Sequence, residues 1–466
     1  MISYVSTRGG SPELGFEDVL LTGLAPDGGL FVPKAWPRLG DIGALAGVDY
    51  VDAAQRIMQP YVEGAIDSRA FRALCAESYG RFAHSAVTPL VQLDQRLWVM
   101  ELFHGPTLAF KDVALQLLGL LFDHVLAKRK SRITVVGATS GDTGSAAIEA
   151  CRDRDAVDIF ILYPAGRTSD VQRRQMTTVQ SANVHAIAIE GTFDDCQALV
   201  KAMFADATFR DAHALAAVNS INWARIMAQI VYYVVAAVAL GAPARKVAFA
   251  VPTGNFGNVY AGYAAMRMGL PIARLIVGTN RNDILARFFQ TAEMRKATVV
   301  PTHSPSMDIQ VSSNFERLLF ELYDRDTEAV ASSMAEFQTT GAFRVNRQAY
   351  EPASALFAAT AVDDRATEET IRDTWRATGY ALDPHSAVGV AAARRIALDP
   401  EIPVVTLACA HPAKFPELVT AATGVHPALP PHLADLFDRP ERLVTLPNDL
   451  ATVERYVHER ARIVKG

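Results

Sequence analysis

The sequence predicts an α/β protein with open, parallel-type sheets flanked by helices, preceded by an N-terminal domain. Three observations carry that reading. Beyond about residue 97, β-rich runs alternate with helical patterns, the order that builds parallel sheets with helices on both faces. Three strands, at 133–136, 247–251 and 403–407, each run into a turn of small or polar residues. Before residue 90, short helical patterns are broken by Gly/Pro turns, notably Ala25-Pro26-Asp27-Gly28-Gly29. The expected division is 1–90 for the N-terminal domain, 91–130 with 240–466 for a larger domain, and 131–239 for a smaller α/β domain.

Composition narrows the class. With 466 residues, 50% of them hydrophobic, the chain is long enough for two or three cored domains. Lys+Arg 45 against Asp+Glu 50 gives a net charge of −5 and no long basic run, which argues against a nucleic-acid partner. Cys75, Cys151, Cys196 and Cys409 are scattered without a CxxC pair, and the histidines lack metal-ligand spacing. No metal or disulfide framework is expected, and a reducing cytoplasm fits. The start has neither a signal-peptide apolar region nor an arginine-rich transit pattern. The most apolar run, 226–242, is interrupted by Gln229 and short for a membrane span, so it reads as a buried helix.

Taken in order, the first chemical signal lies at 101–112. A strand at 97–102 meets Gly105-Pro106, and behind that turn Val113, Leu117, Leu118 and Leu121 recur at helical spacing. Lys111 therefore sits in the first turn of a helix. The positive end of the helix dipole disfavours an ammonium there, and Phe110 desolvates it. Both effects favour the neutral amine that condenses with an aldehyde. Seen alone, the residue reads more readily as an exposed first-turn lysine, and the motifs that follow reverse that reading.

The next turn, Thr139-Ser140-Gly141-Asp142-Thr143-Gly144, follows the 133–136 strand and leads into a helix at 146–150. Small residues there let N–H groups and hydroxyls converge on an anion, or serve as ordinary N-caps. Asn219-Ser220-Ile221-Asn222-Trp223-Ala224-Arg225 opens the apolar helix. Asn219, Ser220 and Asn222 suit capping, but Arg225 opposes the dipole unless an anion binds nearby. Gly254-Asn255-Phe256-Gly257-Asn258 links the 247–251 strand to a helix at 259–268. Its glycines permit close backbone approach and its asparagines add neutral donors, so it suits a phosphate monoester without a cation. Ser313-Asn314-Phe315-Glu316 reads as a capping box, and His385 as helix-start chemistry. Cys409 ends the third strand, where a lone cysteine is commonly a small core residue.

A neutralisable lysine with a cation-free phosphate loop describes a pyridoxal phosphate site. At this point the chain resembles the threonine synthases of bacterial and fungal type, in the tryptophan-synthase-β-like (fold type II) group of pyridoxal phosphate enzymes. The resemblance spans nearly the whole chain. It rests on the Tyr4-to-Gly9 start, the Phe103-to-Asp112 stretch and the turns at Ala138 to Gly144, Asn219 to Arg225 and Gly254 to Asn258. Ser313 to Arg317 and His411-Pro412-Ala413-Lys414-Phe415 complete it. Because the chain begins like the family, no presequence is expected.

The resemblance implies that Lys111 bonds the cofactor aldehyde and that Gly254, Asn255, Phe256, Gly257 and Asn258, in the larger domain, cradle its phosphate. It implies that Ser140, Gly141, Asp142 and Thr143 receive a substrate carboxylate. Ser220, Asn222 and Arg225 are candidates for a substrate phosphate. Cys409 stands where similar chains usually carry threonine or serine opposite the pyridine nitrogen. That departure matters, because a thiol is a weak donor. The implied reaction converts O-phospho-L-homoserine and water to L-threonine and phosphate. Two alternatives stay open: a related phospholyase releasing an α-keto acid, and a non-catalytic cofactor-binding regulator.

Overall fold

The computed structural model describes residues 2–462, so Met1 and positions 463–466 of the expected ranges lie outside it. Two sheets organise the chain. The larger runs in the order Phe357–Ala361, Ile272–Thr279, Val247–Pro252, Val404–Ala408, Leu97–Glu101 and Leu90–Gln92. Its pairs are parallel except the last, Leu90–Gln92 against Leu97–Glu101. The smaller sheet is parallel throughout, in the order Val444–Pro447, Val184–Glu190, Val157–Pro164, Ile133–Ala138 and Leu215–Ala216. Every residue of Val247–Pro252, Val404–Ala408 and Val157–Pro164 is buried, as strands covered on both faces require.

The segment expected to stay with the larger domain from 240 onward does not do so throughout. Val444–Pro447 crosses back to pair with Val184–Glu190, and the helix Leu450–Arg460 buries Val453 and Val457 against the smaller sheet. The reason is the apolar edge strand of that sheet, whose Ile187 and Ile189 share a core with Val453 and Val457.

Two helices form the spine. The lysine helix, Lys111–Arg129, buries fourteen residues from Lys111 to Leu126 and is apolar nearly all round, as a helix enclosed by other elements must be. The arginine helix, Trp223–Ala239, is likewise buried along most of its length, as its apolar run predicts. The N-terminal domain packs onto both. Its strands Tyr4–Ser6 and Phe31–Pro33 pair antiparallel, and the rings of Tyr4 and Tyr61 lie 5.9 and 5.6 Å from Trp223. Tyr4, Tyr61, Val113 and Trp223 thus belong to one continuous core.

The capping box expected at Ser313 to Glu316 is absent. The helix Phe315–Leu322 starts without a side-chain cap. Glu316 instead accepts Thr7 Oγ1 at 2.6 Å and both Arg8 Nε and Nη2 at 2.9 Å. A two-pronged guanidinium contact outcompetes a local cap, and it ties the N-terminal domain to the first turn of that helix.

Gly119 marks where the lysine helix meets the helix Asp142–Cys151. A Cβ there would collide with the Ala150 carbonyl. Helix propensity alone favours alanine over glycine by about 1 kcal/mol, whereas overpacking costs about 1–3 kcal/mol. Gly119→Ala is therefore expected to lower the melting temperature. A rise in thermal denaturation would show that the two helices do not need the close approach.

Candidate active site

The lysine is placed from both ends of the chain. Leu97–Glu101 pairs in parallel with Val404–Ala408, and the segments leaving both strands stay together. Phe110 N–H donates to the Cys409 carbonyl at 2.8 Å, and His411 N–H to the Leu108 carbonyl at 3.0 Å. Gly105 has no room for a side chain, because a Cβ would collide with Asp112. The Asp112 carboxylate accepts Thr107 N–H at 2.8 Å and Thr107 Oγ1 at 2.7 Å, and burial pushes its pKa up to about 6 against those bonds. The turn so fixed delivers Lys111 as the first residue of its helix.

The Lys111 amine is 3.5 Å from Asp142 Oδ2 and 5.4 Å from the Phe110 ring centroid. Burial lowers its pKa below the ordinary lysine value. Asp142 opposes that shift, and the charges of Lys414 and Arg225 reinforce it. Asp142 itself is the most contested group in the site. Its Oδ1 accepts Lys414 Nζ at 2.8 Å and Gln172 Nε2 at 2.9 Å, and its Oδ2 accepts Ser306 Oγ at 3.2 Å. Burial would raise its pKa, but the two ammonium groups and His385 hold it well below the usual carboxylate range.

Asp142 also opens the helix Asp142–Cys151, which has no side-chain cap of its own. Thr139 Oγ1 accepts the N–H groups of Gly141 and Gly144 at 2.9 Å each. Gly141 has φ +147°, and a Cβ would strike the Gln172 amide, so only glycine turns the chain here. The remaining N–H groups of this first turn have no intrahelical acceptor. Ser140 and Thr143 are half-buried beside them.

Arg225 is buried. Nη1 donates to the Val218 carbonyl at 3.1 Å, Nε has no hydrogen-bond partner, and no carboxylate lies within ion-pair distance among the described residues. Burial lowers its pKa to about 10. A buried cation without an anion is costly, so this geometry is suited to an anionic ligand. Asn222 is used at both ends. Its Oδ1 caps Ala224 N–H at 3.0 Å, and its Nδ2 donates to the Leu20 carbonyl at 2.8 Å. Ser220 is half-buried, and its carbonyl accepts Asn314 Nδ2 at 3.1 Å.

The 254–258 turn lies at the start of the helix Gly257–Arg267, with Phe256 left-handed at φ 62° and no side-chain cap. Phe256 packs among Phe289, Phe315 and Phe357, which fixes the turn from behind. Tyr232 and Tyr233 donate to Asn258 Oδ1 at 2.6 and 3.0 Å, so the amide is fixed while its buried Nδ2 lacks a partner. The Asn255 side chain is exposed, and its carbonyl accepts Asn314 N–H at 3.1 Å. Asn314 therefore connects the 254–258 turn to Ser220, a role the capping-box reading hid. Cys409 is buried behind Lys111; its N–H donates to Ser386 Oγ at 3.0 Å, and burial keeps its thiol protonated. His385 accepts Ser306 N–H at Nε2, 3.3 Å away, so its Nδ1 carries the proton and donates to Asp383 Oδ2 at 2.9 Å. Lys414, Gln172 and Ser306 surround Asp142 without having been singled out from sequence. Only Lys414 carried a signal, as a lysine directly after a fully buried strand.

Comparisons with known proteins agree along the whole length. The family model described as pyridoxal-phosphate dependent enzyme matches residues 82–361, and those for the threonine synthase N terminus and C-terminal region match 3–79 and 386–457. A threonine synthase of Pseudomonas aeruginosa is 58% identical over 459 residues, 98% of either chain. The crystal structure of a PLP-bound threonine synthase from Brucella melitensis has 53% identity and a TM-score of 0.97, covering 99% of this chain and 100% of that one. Yeast threonine synthase has 41% identity and a TM-score of 0.93, covering 98% of both.

The residues present suit pyridoxal phosphate. A lysine with a lowered pKa can bond the aldehyde, and an unpartnered amide donor stands with an uncapped helix start for a phosphate. A Cβ at Gly257 would already meet Asn314 Nδ2 at 3.2 Å and Ile226 Cδ1 at 3.5 Å, so a larger side chain must turn toward the helix start. Gly257→Val is expected to lose the cofactor on dialysis while still folding. Absorbance of the dialysed protein checks this, and native retention would reduce the loop to a simple turn.

Proposed function

This chain belongs to the threonine synthase family, and from that premise we propose that it converts O-phospho-L-homoserine and water to L-threonine and phosphate, by γ-elimination and β-addition of water. The observation that carries the reading is a buried lysine of lowered pKa with two distinct anion-donor sets. One is the 254–258 turn with its unpartnered Asn258 Nδ2; the other is Arg225, which no carboxylate among the described residues neutralises. A phosphorylated cofactor and a phosphorylated substrate together need two such sets.

Pyridoxal phosphate is the cofactor. When bound, it supplies an electron sink for negative charge on the carbon bearing the amino group. Lys111 would hold it through the amine, and Gly254, Asn255, Phe256, Gly257 and Asn258 would hold its phosphate. Cys409 is assigned to its ring nitrogen, where a protonated thiol donates weakly. This reaction does not require strong withdrawal by a protonated ring.

The protein's own groups then divide the work. N–H and hydroxyl groups of Ser140, Gly141, Asp142 and Thr143 bind and orient the substrate carboxylate. The freed Lys111 amine takes the proton from Cα and next from Cβ, since one amine reaches both carbons from the same face. Arg225 and Ser220 stabilise the phosphate leaving Cγ, with Asn222 positioning their turn. A proton is then delivered to Cγ, and water adds at Cβ. A cytoplasmic location belongs to the same reading, supported by four buried, unbridged cysteines. Among the described residues no helix is long and apolar enough to cross a membrane.

Incubating purified protein with O-phosphohomoserine is expected to yield threonine and phosphate in equal amounts. An α-keto acid in place of threonine would overturn the assignment. Borohydride reduction and peptide mapping should place the reduced cofactor on Lys111, and a label on any other lysine would remove that residue from the mechanism.

Arg225→Met is expected to lower kcat/KM by about 10- to 150-fold, the loss of one charge-assisted hydrogen bond worth about 1.5–3 kcal/mol. Arg225→Lys should also suffer, because a point charge lacks the planar fork. Cofactor absorbance should be unchanged in both. Near-native kinetics in a protein of lower melting temperature would assign Arg225 to helix packing.

A further inference from the structure

Lys414 is the most enclosed cation beside the site, and nothing above uses it. Its side chain has no solvent exposure, and Nζ donates to the Thr107 carbonyl and to Asp142 Oδ1, each at 2.8 Å. It is delivered by the short turn Pro412–Lys414, directly after the central strand Val404–Ala408. Asp142 thus faces two lysines, and their distances differ. Lys414 and Gln172 close on Oδ1 at 2.8 and 2.9 Å, while Lys111 stands 3.5 Å from Oδ2, at the limit of a hydrogen bond.

We infer that Lys414 is a positioning residue that takes the Asp142 carboxylate as its own ion-pair partner, leaving the Lys111 amine free to bond an aldehyde and the 140–143 turn free to accept an anion. The inference rests on the reading of Lys111 as the cofactor lysine. Its physical basis is the cost of an unpaired buried charge. Without Lys414, Lys111 is the one lysine left to Asp142, with His385 beyond it, and the pair is satisfied when Lys111 is protonated. An ammonium has no lone pair for the aldehyde carbon. The same uncompensated carboxylate, at the first position of an anion-accepting helix start, would repel a substrate carboxylate.

The charged and titratable groups facing these side chains are few. Lys111 is faced by Asp142 and Lys414, by Arg225 of the arginine helix and by Cys409. Asp142 is also faced by His385, and Lys414 by Asp112. Of the two carboxylates near Lys414, Asp112 is already satisfied by Thr107. Asp142 is therefore the anion that changes hands when Lys414 is removed.

The test is the pH dependence of pyridoxal phosphate uptake by the apoprotein, followed by absorbance. In Lys414→Gln the midpoint is expected to move up by at least one pH unit, so that uptake below the midpoint slows about tenfold. Asp142→Asn should move it down. An unshifted profile in folded Lys414→Gln, whatever its melting temperature, overturns the inference. If Lys414→Gln does not fold, the double variant Lys414→Gln/Asp142→Asn decides. Restored folding with uptake at or below the native midpoint supports the inference, because removing the carboxylate removes the need for its partner. A double variant that stays unfolded, or takes up cofactor only above the native midpoint, overturns it. Failure of the underlying reading looks different: the native protein itself would carry the reduced cofactor on a lysine other than Lys111.

Discussion

One carboxylate shared unequally between two buried lysines is the constraint on which this site depends. Asp142 starts a helix that follows a strand of the smaller sheet, Lys111 starts one that follows the larger sheet's strand Leu97–Glu101, and Lys414 follows the larger sheet's central strand. Their meeting point ties together segments that leave both sheets, and a buried carboxylate there is costly unless paired. Ser306 and His385 extend the network. Ser306 reaches Asp142 through its hydroxyl and His385 through its N–H, so the 304–309 segment is held against the same centre.

The N-terminal domain belongs to this arrangement although it contributes no group that meets Lys111. Arg8 and Thr7 grip Glu316, Leu20 receives Asn222, and the Phe31 carbonyl receives Arg317 at 3.0 Å. Each bond ends on a segment bordering one of the two anion-donor sets. The domain works as a clamp on the loops, gripping them through Thr7 and Arg8 just after its first strand, Tyr4–Ser6.

Much of this was legible in the sequence, for local reasons. The placement of Lys111 at a helix start follows from Gly105-Pro106 and from the leucine spacing behind it, both short-range signals. The 140–143 and 254–258 turns show themselves because each joins an apolar strand to a helix. What was not legible is long-range pairing. Glu316 sits three residues after Ser313, as a capping residue would, and nothing nearby in sequence says that Arg8 will take it. Asp142 looks like any acidic N-terminal helix residue until Lys414 and Gln172, 272 and 30 positions away, arrive on the same oxygen. The return of Val444–Pro447 to the smaller sheet has the same origin, since an edge strand carries no label for the sheet it joins.

The central strand of the larger sheet has a consequence for how the molecule comes into being. Val404–Ala408 lies between Leu97–Glu101 and Val247–Pro252, so the strands on either side meet only through a segment near the end of the chain. During synthesis, those two groups of strands present open edges toward each other for the whole time that the intervening residues are being added. The Cys409 carbonyl that anchors Phe110 arrives with the same segment. A nascent chain therefore has the reactive lysine long before it has the scaffold that buries it. The burial that lowers the Lys111 pKa is therefore completed only when the segment from 404 onward is in place.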